Sequence, residues 1–386
     1  MASDGGCVIG GSVAGPGESS VTVVGGAEVT GSQAVSAREI SKAKNKMRLS
    51  MRNSLAGMRT LYRRATPIPA FPQIKERIWG KEKSRGVIIS NMSLAQFIYT
   101  EVLKPKPLRA LTNAILLRIL PKSTRVGAAT IHLDSTDPVV SGAITLRAYE
   151  PSELQFFQQH CRGDLTLVDV GANIGLYTSL AMHGLSSRGR ILAFEPRPQS
   201  FALLEKNIAS NHRDPSIALR AGAGPRVDAF NLAASTQPGA FTLYQNPDNH
   251  GDNRLYHSQD FEWQTIEVQA RPLDEVLTEQ GVTEINFLKM DVQGYEQQVL
   301  GGLKQTLRRS SKVILMTEFW PKGLTEAGGG PLAYLEDLSD LGFQLFELKE
   351  SPRGKLVPLG DWDGLIQNLK GRKYANIVGA KGIRIH

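Results

Sequence analysis

The segment Asp169-Val-Gly-Ala-Asn-Ile-Gly175 has the residue types and spacing of a turn that binds a nucleoside cofactor. An apolar run typical of a strand precedes it, and a helical pattern follows it, which is the context in which such turns bind ligands. Gly171 and Gly175 allow the backbone to turn tightly and to approach a ligand closely. Asn173 is one of the few residues other than glycine that tolerates a left-handed conformation. The turn therefore predicts a cofactor site.

Glu195 is the acidic partner that such a site needs. It lies twenty residues after Gly175, where a second predicted strand ends, and a carboxylate there can accept hydrogen bonds from both hydroxyls of a ribose. The glycine spacing differs from the Gly-x-Gly-x-x-Gly of dinucleotide sites, and Asp169 would repel a pyrophosphate. The same carboxylate suits the amino group and sulfonium of S-adenosylmethionine. The pattern favours that cofactor over NAD, and a turn without ligand is the remaining alternative.

Three polar side chains that follow or overhang predicted strands are candidates for the chemistry: Asp291, His250 and Glu318. Asp291 closes a strand and can act as a base, as a ligand of a substrate hydroxyl or of a divalent cation, or only as a helix N-cap. His250 lies in an inserted segment and is of the residue type that most often serves as a base near neutral pH. Glu318 follows another strand and can hold substrate hydroxyls. The sequence contains no His/Cys cluster with zinc spacing, so no metal ligand is predicted.

These residues require a scaffold of alternating strands and helices, and residues 130–386 show that alternation. Strands alternating with helices predict a mostly parallel sheet with helices on both faces. Ligands bind at the carboxyl ends of the strands in such sheets. Two short alternating runs between residues 240 and 270 predict an inserted hairpin.

The residues before this domain divide by composition and charge. Residues 1–40 are rich in Gly, Ser and Val and lack aromatic residues, which predicts a disordered tail. Residues 41–125 contain 19 Lys or Arg and three acidic residues, whereas residues 126–386 contain 25 basic and 30 acidic residues. The basic character of the chain therefore belongs to a basic, largely helical extension over residues 41–129.

Residues 41–64 predict a basic amphipathic helix, because five apolar residues recur at helical spacing. They are Met47, Met51, Leu55, Met58 and Tyr62. Such a helix suits an anionic membrane surface first and a nucleic acid second; the alternative is a helix packed on its own domain. The chain shows no secretory signal and no apolar run of about 18–20 residues. The expected location is cytoplasmic, with peripheral membrane association through residues 41–64.

Five segments of the sequence resemble the FkbM-type family of S-adenosylmethionine-dependent methyltransferases. They are Tyr149–Pro151, Val168–Thr178, Ala193–Pro196, Asn231–Ala234 and Phe287–Glu296. The resemblance implies a class I methyltransferase fold, a Rossmann-like sheet of seven strands whose last strand is antiparallel. It also implies O-methylation of a hydroxyl on a sugar, a glycan or another small molecule.

The residues that match the family motif position by position are expected to contact the cofactor. They are Asp169, Gly171, Ala172, Asn173, Gly175 and Glu195. Two other functions remain open: a nucleic-acid methyltransferase that holds phosphates with the basic extension, and a cofactor-binding module without turnover. The acidic balance of residues 126–386 and the absence of an RNA-binding signature argue against the first.

Overall fold

The computed structural model describes residues 117–217, 224–247, 249–259, 263–351 and 354–385. The predicted tail (1–40), the predicted amphipathic helix (41–64) and most of the basic extension lie outside these residues. Within the described ranges, no helix is long and apolar enough to cross a membrane.

The described residues form thirteen strands and ten helices. The strands are β1 Ser123–Val126, β2 Ala129–His132, β3 Thr166–Val170, β4 Arg190–Phe194, β5 Arg226–Phe230, β6 Ala233–Ala234, β7 Gly239–Gln245, β8 Gln264–Arg271, β9 Phe287–Met290, β10 Val313–Phe319, β11 Gln344–Lys349, β12 Lys355–Pro358 and β13 Ala375–Lys381. The helices are α1 Val140–Thr145, α2 Pro151–His160, α3 Leu176–Gly184, α4 Pro198–His212, α5 Leu273–Glu279, α6 Glu296–Gly301, α7 Lys304–Arg309, α8 Pro321–Glu326, α9 Pro331–Asp340 and α10 Trp362–Asn368.

The central sheet has the strand order β12-β11-β13-β10-β9-β3-β4-β5. Strands β10, β9, β3, β4 and β5 run parallel to one another, and β13 is antiparallel to both of its neighbours. This is the predicted class I methyltransferase arrangement, including its antiparallel last strand. The sheet holds eight strands where the resemblance implied seven, because the short strand β12 adds antiparallel to β11 at the edge.

Apolar side chains cover both faces of the sheet because successive strand residues point to opposite sides. On one face, residues such as Val168, Leu192 and Leu288 belong to a core that also contains α5, α6 and α9 residues. On the other, their chain neighbours Leu167, Ile191 and Phe287 pack with α2 and α3 residues. The predicted two-sided packing is confirmed.

The first hairpin, β1 and β2, crosses the domain boundary predicted at residue 130 and packs on α4. Asn211 Oδ1 accepts a hydrogen bond from Thr130 N (3.0 Å), and Asn207 Oδ1 accepts one from His132 N (2.6 Å). Asn207 Nδ2 also donates to Ile174 O at 2.7 Å. Buried asparagines therefore satisfy the free edge of β2 and tie it to the glycine-rich turn.

The predicted inserted hairpin is present, because β7 pairs antiparallel with β8. The inserted hairpin, β7 and β8, is part of a separate three-stranded sheet with β6. The chain between β9 and β10 forms two short helices, α6 and α7. The chain turns between them at Gly302, where a Cβ would lie 2.1 Å from Ser235 O. Close backbone packing at Gly302 thus interrupts a segment whose apolar spacing is continuously helical.

Candidate active site

Strand register places the candidate residues along one edge of the sheet. Val170 of β3 pairs with Phe194 of β4 and with Met290 of β9, and Met290 pairs with Thr317 of β10. All four strands are parallel, so the residues that follow these positions emerge side by side. Those residues are Gly171, Glu195, Asp291 and Glu318. The sheet therefore brings the predicted cofactor turn and two predicted catalytic carboxylates to the same edge.

The glycine-rich turn needs its glycines for packing as well as for conformation. Gly171 has φ +75°, and a Cβ there would lie 1.9 Å from the carbonyl oxygen of Asp291. Gly175 has φ +83°, and a Cβ there would lie 2.6 Å from Leu204 Cδ1 of α4. The first glycine thus allows the turn to pack against the chain after β9. A side chain at Gly171 would meet this backbone, which sequence reasoning had not foreseen.

Glu195 braces the turn from the end of β4. Its Oε2 accepts a hydrogen bond from Asn173 N at 2.8 Å, and its Oε1 accepts one from Arg197 N at 2.9 Å. Asn173 has the predicted left-handed conformation, with φ +50°. Burial raises the pKa of Glu195 to about 7, although the two N–H groups favour its charged form. Each carboxylate oxygen retains a second lone pair for a further donor.

Asp169 lies beneath the turn and is fully buried. Its Oδ2 accepts a hydrogen bond from Thr178 Oγ1 of α3 at 2.7 Å. Its Oδ1 has no hydrogen-bond partner within the described residues, and Lys289 Nζ lies 3.9 Å away. Burial raises the pKa of Asp169, and Lys289 opposes this shift. Ala172, also predicted to contact the cofactor, is buried and donates its N–H to Phe194 O at 3.0 Å.

Asp291 and Glu318 are linked by one amide. Gln293 Nε2 lies 2.7 Å from Asp291 Oδ1 and 3.5 Å from Glu318 Oε2, and Gln293 holds a left-handed φ of +54°. Burial, followed by repulsion from Asp291, raises the pKa of Glu318 well above its usual value. The two predicted catalytic carboxylates therefore face one cleft, and Glu318 favours its protonated form.

Glu296 does not join these carboxylates, although it lies only five residues after Asp291. It is 1% exposed, and its Oε1 accepts hydrogen bonds from Val292 N and Gly294 N, both at 3.2 Å. It therefore braces the turn after β9. Asp291 is not a helix N-cap either, because α6 begins after Tyr295.

Two further charged side chains, those of Lys289 and Glu150, lie beside these carboxylates at the edge of the sheet. Neither residue was predicted from the sequence to belong to the site. Lys289 Nζ lies 3.6 Å from Asp291 Oδ2 and donates to Gly171 O at 3.2 Å. Burial alone would lower the pKa of Lys289, but the carboxylates of Asp291 and Asp169 raise it. Glu150 Oε2 accepts a hydrogen bond from Tyr177 OH at 2.5 Å, and burial together with Asp291 raises its pKa to about 7.

His250 lies apart from the two carboxylates, in the polar loop that follows β7. Its Nδ1 lies 2.8 Å from Asp134 Oδ2, and both side chains are 12% exposed. Burial alone would raise the pKa of Asp134, but hydrogen bonds from His250 and Thr136 lower this pKa below its ordinary value. The chain neighbours Asn249, Gly251 and Asp252 line the cleft.

The cleft in front of the carboxylates has a volume of about 240 Å³ and an aromatic wall. Its lining includes Tyr149, Trp320 and Tyr374 together with Glu150, Asp291, Gln293 and Glu318. Trp320 packs 4.6 Å from the guanidinium of Arg254 and donates its Nε1–H to Gly371 O at 2.8 Å. Tyr374 is 53% exposed and offers a more accessible ring.

Backbone strain concentrates around this cleft. Within the described part of the chain, four residues other than glycine have positive φ, and three of them are Glu150, Asn173 and Gln293. Such conformations persist where surrounding structure enforces them, and they cluster at functional sites. The motif spacing had indicated only Asn173; the other two become apparent from the fold.

The site suits S-adenosylmethionine on two structural grounds. Glu195 is a buried carboxylate at the end of β4 with lone pairs to spare for the hydroxyls of a ribose. The second ground is the unpartnered Oδ1 of Asp169, close to the turn and to Lys289. No group of three or more His, Cys, Asp or Glu able to hold a metal ion occurs among the described residues.

Comparison with known proteins agrees with this geometry. Residues 169–345 match the methyltransferase FkbM domain. The 2-O-methyltransferase NoeI of Sinorhizobium fredii is 27% identical over 223 residues, which cover 54% of this chain and 81% of that protein. The 31-O-demethyl-FK506 methyltransferase FkbM of Streptomyces tacrolimicus is 30% identical over 158 residues, 37% of this chain and 60% of that protein.

One solved structure similar to this chain is a putative methyltransferase from Streptococcus mutans in complex with SAH. It has a TM-score of 0.34 and 12% identity, and the alignment covers 60% of this chain and 98% of that one. The motifs, the strand order and the family match agree, and residues 169–345 are a methyltransferase domain of the FkbM family.

Proposed function

We propose that the protein is an S-adenosylmethionine-dependent O-methyltransferase that acts on a hydroxyl of a sugar, a glycan or another small molecule. One observation supports the proposal most directly: the glycine-rich turn proposed to bind the cofactor lies next to the carboxylates of Asp291 and Glu318. The carbonyl oxygen of Asp291 lies 1.9 Å from the position that a Cβ on Gly171 would take, and the side chain of Asp291 faces the cleft with Glu318. The relatives named for 2-O- and 31-O-methylation support the choice of a hydroxyl.

The cofactor would be held by Glu195, Asp169 and the turn from Gly171 to Gly175. When bound, it supplies an electrophilic methyl group. Asp291 accepts the proton of the acceptor hydroxyl, and the charge of Lys289 at 3.6 Å holds this carboxylate in place. Glu318, whose protonated form is favoured, donates a hydrogen bond to an acceptor oxygen. Gln293 fixes the spacing of the two groups. Holding the acceptor hydroxyl close to the methyl group favours transfer.

The lining of the cleft disfavours a nucleic-acid acceptor. Four acidic side chains line it, namely Glu150, Asp252, Asp291 and Glu318. Two arginines also line it: Arg254, which is paired with Asp252 at 2.8 Å, and Arg372. Phosphates would therefore meet more acidic than basic side chains, whereas nucleic-acid sites are basic.

Transfer of a tritiated methyl group from S-adenosylmethionine tests the proposal directly. We expect label in neutral sugars, glycosides or phenols from an acceptor panel and none in RNA or DNA. Calorimetry with the same protein measures cofactor binding independently of turnover. Cofactor binding without transfer to any acceptor in cell extracts would favour a binding module, and labelled RNA would favour the nucleic-acid alternative.

A further inference from the structure

The Asn249–Asp252 loop covers the cofactor turn from the side of the inserted hairpin. Asn249, Gly251 and Asp252 line the cleft. A Cβ on Gly251 would lie 2.8 Å from Val140 Cγ2 and 3.6 Å from Asn173 Nδ2. The loop therefore packs closely against α1 and against the side chain of Asn173, on the turn proposed to hold the cofactor.

Hydrogen bonds inside the loop make it a stiff unit. They include Asp252 N to Asn249 O (3.0 Å), Gly251 N to Asn249 Oδ1 (3.1 Å), Asn253 Nδ2 to His250 O (2.7 Å) and Asn246 Nδ2 to Asp252 Oδ2 (3.1 Å). Arg254 Nε also donates to Asp252 Oδ1 at 2.8 Å. A loop braced in this way moves as one body, so a contact at one residue restrains all of it.

The hydrogen bond between His250 and Asp134 connects this unit to the rest of the domain. His250 Nδ1 lies 2.8 Å from Asp134 Oδ2, and both side chains are only 12% exposed. Asp134 is itself fixed, because its Oδ1 accepts hydrogen bonds from Thr136 N (2.8 Å) and Thr136 Oγ1 (2.6 Å). A hydrogen bond shielded from water in this way is stronger than one exposed to solvent.

Arg197 joins the same pair to the cofactor carboxylate. Its Nη1 lies 3.7 Å from Asp134 Oδ2, and its main-chain N–H donates to Glu195 Oε1 at 2.9 Å. Glu195 in turn accepts the N–H of Asn173. Polar contacts thus run without interruption from the loop, through Asp134 and Arg197, to the residue proposed to bind the ribose.

We propose that Asp134 and His250 are positioning residues whose hydrogen bond holds the Asn249–Asp252 loop over the bound cofactor and so limits its release. This inference rests on the proposed cofactor site. It assigns His250 a role through Asp134 in place of the role of general base that its residue type suggested. Loss of either partner frees the loop to open, so the bound cofactor exchanges faster.

The test is a double-mutant cycle on the full chain with Asp134→Ala, His250→Ala and both together. Protein loaded with radiolabelled S-adenosylmethionine is chased with unlabelled cofactor, and the dissociation rate is measured by rapid filtration. We expect each single change to raise the rate about 10-fold, which corresponds to about 1.4 kcal/mol. The double variant should release no faster than the faster single variant. Asp134→Asn, which keeps an acceptor oxygen, should restore part of the slow release.

His257→Ala is the matched control, because His257 is an exposed histidine of the same insertion and should leave the rate unchanged. Thermal unfolding of each variant separates local opening from loss of the fold. Additive effects of the two changes, or unchanged release, would overturn the inference. A lower kcat in His250→Ala with normal release would return His250 to the role of base. Absence of cofactor binding in the unaltered protein would refute the proposed function itself.

Discussion

At the scale of single residues, Glu195 combines burial with a free capacity to accept hydrogen bonds. Its pKa of about 7 means that without ligand it is largely protonated below neutral pH. The hydroxyls of a ribose donate to the charged form, so cofactor binding stabilises ionised Glu195. Cofactor affinity should therefore rise as the pH increases through 7.

Glu195→Ala should weaken S-adenosylmethionine by about 1.5–3 kcal/mol, the range for hydrogen bonds to a charged group. The variant should also lose the part of the pH dependence that Glu195 causes. Calorimetry from pH 5.5 to 8.5 (a range of about one and a half units on each side of that pKa) measures both effects. Equal affinity in a folded variant would remove Glu195 from the cofactor site.

Substitutions of Asp291 and Glu318 test two roles separately, the removal of the proton and the positioning of the acceptor. Asp291→Asn should lower kcat by about 10²–10⁴-fold, because the amide cannot take the proton, and should leave cofactor affinity near that of the unaltered protein. Glu318→Gln keeps a hydrogen-bonding group, so it should raise the KM for the acceptor more than it lowers kcat. Steady-state kinetics with the best acceptor of the panel measures both.

Chelation completes the test of Asp291. Full activity in EDTA agrees with Asp291 as the proton acceptor. Activity lost in EDTA and restored by Mg²⁺ would instead make Asp291 a metal ligand, and unaltered rates in Asp291→Asn would exclude it from the chemistry.

At the scale of elements, the turn after β3 and the chain after β9 can approach only because residue 171 lacks a side chain. Gly163 provides a matched comparison: it has φ +78° but no atom within 4 Å of a built Cβ, whereas Gly171 has φ +75° and meets Asp291 O at 1.9 Å. A side chain at either position would have to adopt a left-handed backbone conformation. Only a side chain at Gly171 would also overlap with the backbone of Asp291.

Gly163→Ala should therefore cost about 1 kcal/mol of unfolding free energy, the cost of left-handed backbone. Gly171→Ala should cost clearly more and should also weaken cofactor binding, because β9 or the turn must move. Urea unfolding of both variants, with cofactor titration of the folded ones, measures the difference. Equal losses at the two positions would show that the overlap relaxes without consequence.

At the scale of the whole molecule, positive charge and the proposed chemistry are in different parts of the chain. The central sheet and the cleft lie within residues 117–385, and the net charge of +16 lies in residues 41–125. We propose that residues 41–64 bind an anionic membrane surface and take no part in methyl transfer. A helix with an apolar stripe and a basic face suits such an interface.

Deletion of residues 1–64 should leave S-adenosylmethionine affinity unchanged and abolish sedimentation with vesicles of anionic lipid. Binding of the full chain should weaken with added salt, because exposed charges are screened over about 8–10 Å at physiological ionic strength. Neutral vesicles serve as the control. A truncated protein that loses its fold or its cofactor would make the segment a structural part of the domain, and retained vesicle binding would place the contact elsewhere.

Local patterns in the sequence were sufficient to predict the strand–turn–helix units, the glycine-rich turn and the position of Glu195 at the end of a strand. Each depends on residues close together in the chain: the apolar periodicity of β3 and β4, the left-handed Asn173, and a carboxylate directly after a strand. Alternation of strands and helices then led to the parallel sheet, whose open edge collects Gly171, Glu195, Asp291 and Glu318.

Only the tertiary structure decided which distant side chains meet there. Asp134 and His250 are 116 positions apart, and Lys289 meets Gly171 across 118. Strand register and loop packing set these contacts, and hydrophobic periodicity contains no information about either. The break at Gly302 and the left-handed backbone at Glu150 and Gln293 have the same cause. Each of these backbone conformations depends on contacts with residues that are distant in the chain.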